Sequence, residues 1–162
     1  MSGKLVLIAA GGTGGHMFPA QAFADEMKAR GWRVVLMTDA RGKQYAQHFP
    51  AEAIEDVPAA TIQGLNPIKA LTGGVKILAG INEANKRLKR LKPALIAGFG
   101  GYPSFPALWA GRGAKIPILI FQADAVLGRV NRFFAVDAAA IACGFDRLDR
   151  LDPKLAKRKV VT

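Results

Sequence analysis

The 162-residue chain holds one cysteine, Cys143, and two histidines, His16 and His48, so neither a disulfide framework nor a cysteine-built metal cluster is available to it. A reducing cytosol suits such a chain. Acidic residues are also scarce: 12 Asp and Glu stand against 23 Lys and Arg, a formal net charge of +11. That imbalance implies an anionic partner, which nucleic acid, anionic lipid and phosphorylated substrates all satisfy. Aromatic residues make up only 8%, are not interleaved with the basic ones, and form no recognised nucleic-acid module, so nucleic acid is not the expected partner. Long apolar runs are missing too. Residues 5–10 are too few for the apolar core of a signal peptide, and no run approaches the ~20 residues of a membrane span.

What is present is an alternation of short apolar runs with helical patterns, at a length that suits about one domain. The runs at residues 4–10, 32–38, 53–57, 93–97, 116–121, 136–142 and 159–162 read as strands, the first of them (KLVLIAA) apolar enough to be buried on both faces. Helices are expected at 20–30, 44–48, 67–91, 105–111 and 126–135, with Pro19 in the first turn of the earliest and a break near Gly73-Gly74 in the longest. Residues 58–67 read as a surface loop. Six or seven strands alternating with helices predict an α/β fold, a doubly wound parallel Rossmann-like sheet with right-handed crossovers.

Two glycine-rich turns carry the chemistry. Gly11, Gly12, Thr13, Gly14 and Gly15 follow the first strand, and Gly98-Phe99-Gly100-Gly101-Tyr102-Pro103-Ser104 follows the fourth. A turn without side chains that feeds a helix N-terminus offers bare N–H groups to a phosphate or diphosphate. In a doubly wound sheet, ligands bind at the carboxyl ends of the strands, so both turns should face one crevice. The first is neither a G-x-G-x-x-G fingerprint nor a phosphate-binding loop ending in Gly-Lys-Ser/Thr. Asp39, at the end of the second strand, stands where a ribose-binding acid would sit and keeps a dinucleotide reading open.

The stretches GGTGGHMFPA, GFGGYPSFPA and VLGRVNR, in this order over essentially the whole chain, resemble the N-terminal domain of the MurG family, the cell-wall N-acetylglucosaminyltransferases that convert lipid I to lipid II. The resemblance implies the N-terminal half of a two-domain GT-B glycosyltransferase, with residues 1–162 as a single acceptor-binding domain and the C-terminal donor domain absent. It implies lipid I as acceptor, UDP-N-acetylglucosamine as donor through the missing domain, inversion at the anomeric carbon, no cofactor, and no activity in this part alone. By motif, Gly11, Gly12, Thr13, Gly14 and Gly15 hold the acceptor diphosphate, and Gly100, Gly101, Tyr102, Ser104 and Asn131 bind substrate. His16 is the candidate base. The alternatives stay open: a His16 that caps or packs the turn, and a Tyr102 that serves the core or rim.

One stretch departs from the pattern. Where the family reads His-Glu-Gln-Asn, this chain has Phe121-Gln122-Ala123-Asp124, a change expected to strip hydrogen-bonding capacity from the cleft while Asp124 restores an acid. A membrane contact is read from Ile68, Lys69, Leu71, Val75 and Lys76, an apolar and basic segment that would lie on anionic lipids at the cytoplasmic face of the bacterial inner membrane. The same segment also reads as an ordinary helix with its apolar side inward. A non-catalytic anion- or membrane-binding module is the competing function, and self-association through an exposed interdomain face is a further partner reading.

Overall fold

The first strand, β1 (Leu5–Ala9), is buried along its whole length, as five consecutive apolar residues between two layers of helix require. It sits at the centre of the computed structural model, which describes residues 3–59 and 67–162 and, for residues 67–71, the backbone alone. After it come α1 (Gly14–Ala29), β2 (Arg33–Thr38), α2 (Ala40–Lys43), β3 (Ala53–Asp56), α3 (Pro67–Leu91) and β4 (Leu95–Gly98). The chain continues through α4 (Phe105–Gly113), β5 (Ile118–Gln122), α5 (Arg129–Phe134), β6 (Ala140–Cys143) and β7 (Lys159–Val161). The strands form one parallel sheet in the order β3-β2-β1-β4-β5-β6-β7.

The chain therefore moves outward from β1 in one direction, returns, and moves outward in the other. Crossovers of one hand then place helices on opposite faces. Met17, Ala20, Ala24 and Met27 of α1 pack on Val6, Ile8, Val34 and Leu36. Ala84 and Leu88 of α3, Leu108 of α4 and Phe134 of α5 pack with Leu7, Ile96, Ile120 and Ile141 on the other side. On the α1 side, Leu119, Phe121, Ala140, Ala142 and Val160 line an apolar groove of about 530 Å³.

Several boundaries differ from the sequence reading for local reasons. Helix α1 starts at Gly14, so Pro19 lies inside it rather than in its first turn, and His16 joins the helix. The start signal is Thr13, whose carbonyl accepts from the N–H groups of His16 and Met17. The helix expected at 44–48 forms earlier, at Ala40–Lys43, because the Asp39 carboxylate caps it by accepting from Gly42 N–H at 3.0 Å. Strand β6 begins at Ala140 instead of 136, since Asp137 and Ala138 N–H still turn back to the Phe134 carbonyl at the end of α5. Helix α3 runs without a break through Gly73 and Gly74. The surface loop expected at 58–67 falls mostly on residues 60–66, outside the described residues.

Candidate functional site

Ala9 of β1 and Gly98 of β4 are register partners, so the two glycine turns leave the sheet side by side at the point where strand order reverses. Their contact is close. A Cβ on Gly101 would stand 2.7 Å from the Gly11 carbonyl oxygen and 3.4 Å from His16 Nδ1; one on Gly100 would stand 3.2 Å from His16 Nε2. Gly100 (φ 87°) and Gly101 (φ 74°) both lie in the left-handed region, so glycine is demanded there by conformation and by space. The N–H groups of Gly12, Gly100 and Gly101 have no backbone acceptor among the described residues.

A cleft of about 220 Å³ opens beside this contact, with His16, Gly100, Gly101 and Tyr102 on one wall and Gln122, Asp124, Arg129 and Asn131 on the other. The second wall is held by a buried amide pair. Asn131, 1% exposed, donates from Nδ2 to the Phe121 carbonyl at 2.8 Å and to Gln122 Oε1 at 3.0 Å. Gln122 Oε1 also accepts from Gly128 N–H at 2.9 Å, which joins the end of β5 to the start of α5. Two donors on Oε1 fix the orientation of that amide. Asn131 Oδ1 is buried and has no partner among the described residues. In the stretch 121–124, Phe121 turns its ring to Phe99 on the α1 side, 5.2 Å between centroids, while its carbonyl and the Gln122 amide supply the polar contacts.

His16 is half-buried, with Nδ1 3.2 Å from Thr13 Oγ1. Burial pushes its pKa below the usual 6.5, and the Asp124 carboxylate and a hydrogen bond to the Gly11 backbone oppose that shift without cancelling it. Burial thus favours the neutral ring, the form able to accept a proton.

Of the residues singled out in the sequence, the cleft gathers His16, Gly100, Gly101, Tyr102 and Asn131. Tyr102 does both things read for it: it packs against the core and lines the cleft. Ser104 is fully buried and donates its hydroxyl to the Gly101 carbonyl at 2.8 Å, shaping the turn from behind. Gly11 lies behind His16, and Gly12 turns toward Arg41. Thr13 and Gly15 are exposed at the start of α1, with Gly14 between them. Asp39 is committed to capping α2 and to an ion pair with Arg41 at 3.2 Å, which leaves no free carboxylate for a ribose. Gln122 and Arg129 are site residues that the sequence reading misses, although Gln122 lies in the Phe121–Asp124 stretch and Arg129 in VLGRVNR.

The side chains of Ile68, Lys69 and Leu71 lie outside the described residues. Val75 and Lys76 are exposed on α3, together with Leu78 at 69%. Exposed Trp109 and Phe133 stack beside Phe105 on α4 and α5, and the Arg112 guanidinium lies 5.8 Å from the Trp109 ring. No described helix is long and apolar enough to cross a membrane.

The model of the family described as glycosyltransferase family 28 N-terminal domain matches residues 6–143. A relative from Maricaulis maris, UDP-N-acetylglucosamine–N-acetylmuramyl-(pentapeptide) pyrophosphoryl-undecaprenol N-acetylglucosamine transferase, is 49% identical over all 162 residues, which make up 44% of its own length. The protein of the same name from Caulobacter vibrioides is 50% identical over 150 residues, 93% of this chain and 42% of that one. The crystal structure of MurG from Acinetobacter baumannii superposes with a TM-score of 0.82 at 31% identity, over 98% of this chain and 45% of that chain. The UDP-GlcNAc 2-epimerase of Neisseria meningitidis, at 17% identity and a TM-score of 0.64, shares the fold. The chain spans less than half the length of the relatives it matches.

Proposed function

Because the chain belongs to the glycosyltransferase family 28 N-terminal domains, we propose that it forms the acceptor half of an inverting transferase that moves N-acetylglucosamine from UDP-N-acetylglucosamine to lipid I, giving lipid II. The observation that carries this reading is the close approach of the two glycine turns, Gly101 against the Gly11 carbonyl, beside a cleft that His16, Gly100 and Gly101 line together. Backbone N–H groups in the turns suit the acceptor diphosphate. The acceptor hydroxyl attacks the anomeric carbon of the donor, the bond to UDP breaks with its electron pair on the departing phosphate oxygen, and His16 Nε2 takes the hydroxyl proton. Nδ1 faces Thr13, which leaves Nε2 toward the Gly100 side for that task. UDP-N-acetylglucosamine belongs to a second domain, equivalent to the part of the relatives that this chain does not span, so residues 1–162 bind acceptor and do not turn it over.

A second part of the reading is peripheral attachment to anionic lipids at the cytoplasmic face of the inner membrane. It is supported by exposed Val75, Leu78, Trp109 and Phe133 on one helical layer, flanked by Lys76 and Arg112. The test of the site is a backbone NMR titration with a short-chain lipid I analogue. Shifts confined to residues 11–16 and 100–104, with none from UDP-N-acetylglucosamine, support the acceptor half-site. A dispersed spectrum that does not respond to the analogue rejects it.

A further inference from the structure

Arg129 is the one cation on the wall of the cleft among the described residues, and it has no carboxylate within ion-pair distance there, although Asp124 stands on the same rim. Elsewhere Arg30, Arg33, Arg41, Arg87, Arg112 and Arg147 are each paired with an acid. The backbone beneath Arg129 is anchored on both sides: Gly128 N–H is held by Gln122 Oε1, and Asn131, two residues on, is locked to Phe121 and Gln122. An exposed guanidinium with no ion-pair partner among the described residues, on a fixed stem, thus lines the same cleft as Gly100 and Gly101, whose N–H groups have no backbone acceptor there.

Resting on the acceptor reading above, we propose that Arg129 is the cationic clamp for the acceptor's diphosphate, closing on it from the wall opposite Gly100 and Gly101. Neutral amides alone spread little charge against a diphosphate, whereas a guanidinium fork matches two phosphate oxygens at once. The clamp also orients the ligand. With the phosphates held between the second glycine turn and Arg129, the attached sugar extends toward His16, which lines the same cleft.

The test uses the chain with three probes: a short-chain prenyl-diphospho-N-acetylmuramyl saccharide, inorganic pyrophosphate, and the uncharged saccharide. Affinities are read by calorimetry over a range of salt, with amide spectra to check folding. Arg129→Ala is expected to weaken the prenyl-diphospho saccharide and pyrophosphate about tenfold and to flatten their salt dependence, leaving the uncharged saccharide unchanged. Arg129→Lys should keep part of the affinity and most of the salt dependence. If the wild type binds the prenyl-diphospho saccharide with shifts at the glycine turns and Arg129→Ala binds it equally, with the same salt dependence, the clamp is wrong and the acceptor reading stands. If the wild type binds none of the diphosphates, both fall.

Discussion

Two glycines of α3 predict opposite responses to the same substitution. Alanine is preferred over glycine inside a helix by about 1 kcal/mol, so propensity alone favours both changes. At Gly74 nothing lies within 4 Å of an added Cβ, and the full gain should appear. At Gly80 the added carbon would stand 2.1 Å from the Pro58 carbonyl oxygen and 3.1 Å from Pro106 Cγ. The first is backbone and the second belongs to the opening turn of α4, so neither yields cheaply. Overpacking of this kind costs about 1–3 kcal/mol or more, which cancels and then exceeds the helical gain. Gly74→Ala should therefore raise the midpoint of thermal unfolding by about 2–4 °C, while Gly80→Ala lowers it by at least as much. Because Pro106 follows Ser104 by two residues, Gly80→Ala should also shift the amide resonances of the second glycine turn. A Gly80→Ala protein as stable as Gly74→Ala would refute the close packing of α3 on 58 and α4.

The remaining expectations concern the cleft and the outer face. An NMR titration of the His16 ring should give a pKa below 6.5, and Asp124→Asn should lower it further by removing the opposing charge. Folding favours the neutral ring, so the stability it contributes is complete above the unfolded value of about 6.5 and is lost as pH falls through the lowered folded value; a ring that titrates at or above 6.5 overturns the burial argument. Gln122→Ala removes the acceptor of Gly128 N–H and of one Asn131 Nδ2 hydrogen and should cost about 2–3 kcal/mol in urea unfolding, whereas Gln122→Glu keeps both acceptors and should cost less; equal losses contradict the structural role given to the Gln122 Oε1 acceptor. Leu78→Glu should reduce sedimentation with anionic vesicles about tenfold, as the loss of roughly 1.5 kcal/mol of apolar burial implies. Unchanged sedimentation removes α3 from the membrane face.

The strands and their parallel order were legible because each is a short apolar run, and period-two or continuous hydrophobicity survives any packing. Helix starts were less legible, since Thr13 and Asp39 act through backbone N–H and C=O groups that no side-chain pattern reports until the turn is built. Gly73 and Gly74 looked like a break because propensity weighs residues singly, yet a helix of 25 residues packed on α4 absorbs about 1 kcal/mol at each. In the site, the two glycine turns announced themselves by composition. The amide pair did not: Gln122 and Asn131 are nine residues apart, and only the crossover from β5 to α5 brings them within 3.0 Å.

That crossover explains how the cleft is polar without being charged. Its inner wall is two neutral amides, buried because every donor on Asn131 and the carbonyl oxygen of Gln122 are engaged inside the protein. A carboxylate at 122 would place a charge beside His16 and draw its pKa upward, working against the neutral ring that burial favours. The charges that remain, Asp124 and Arg129, lie at the exposed rim, where they act on a ligand and on the His16 proton without paying for desolvation. The net charge of +11 attracts anions to the molecule as a whole, but most of the described arginines are committed to acids. On the proposed reading, selection among anions falls to the few donors around the cleft, and of the described residues that line it Arg129 alone is a cation without an acid partner.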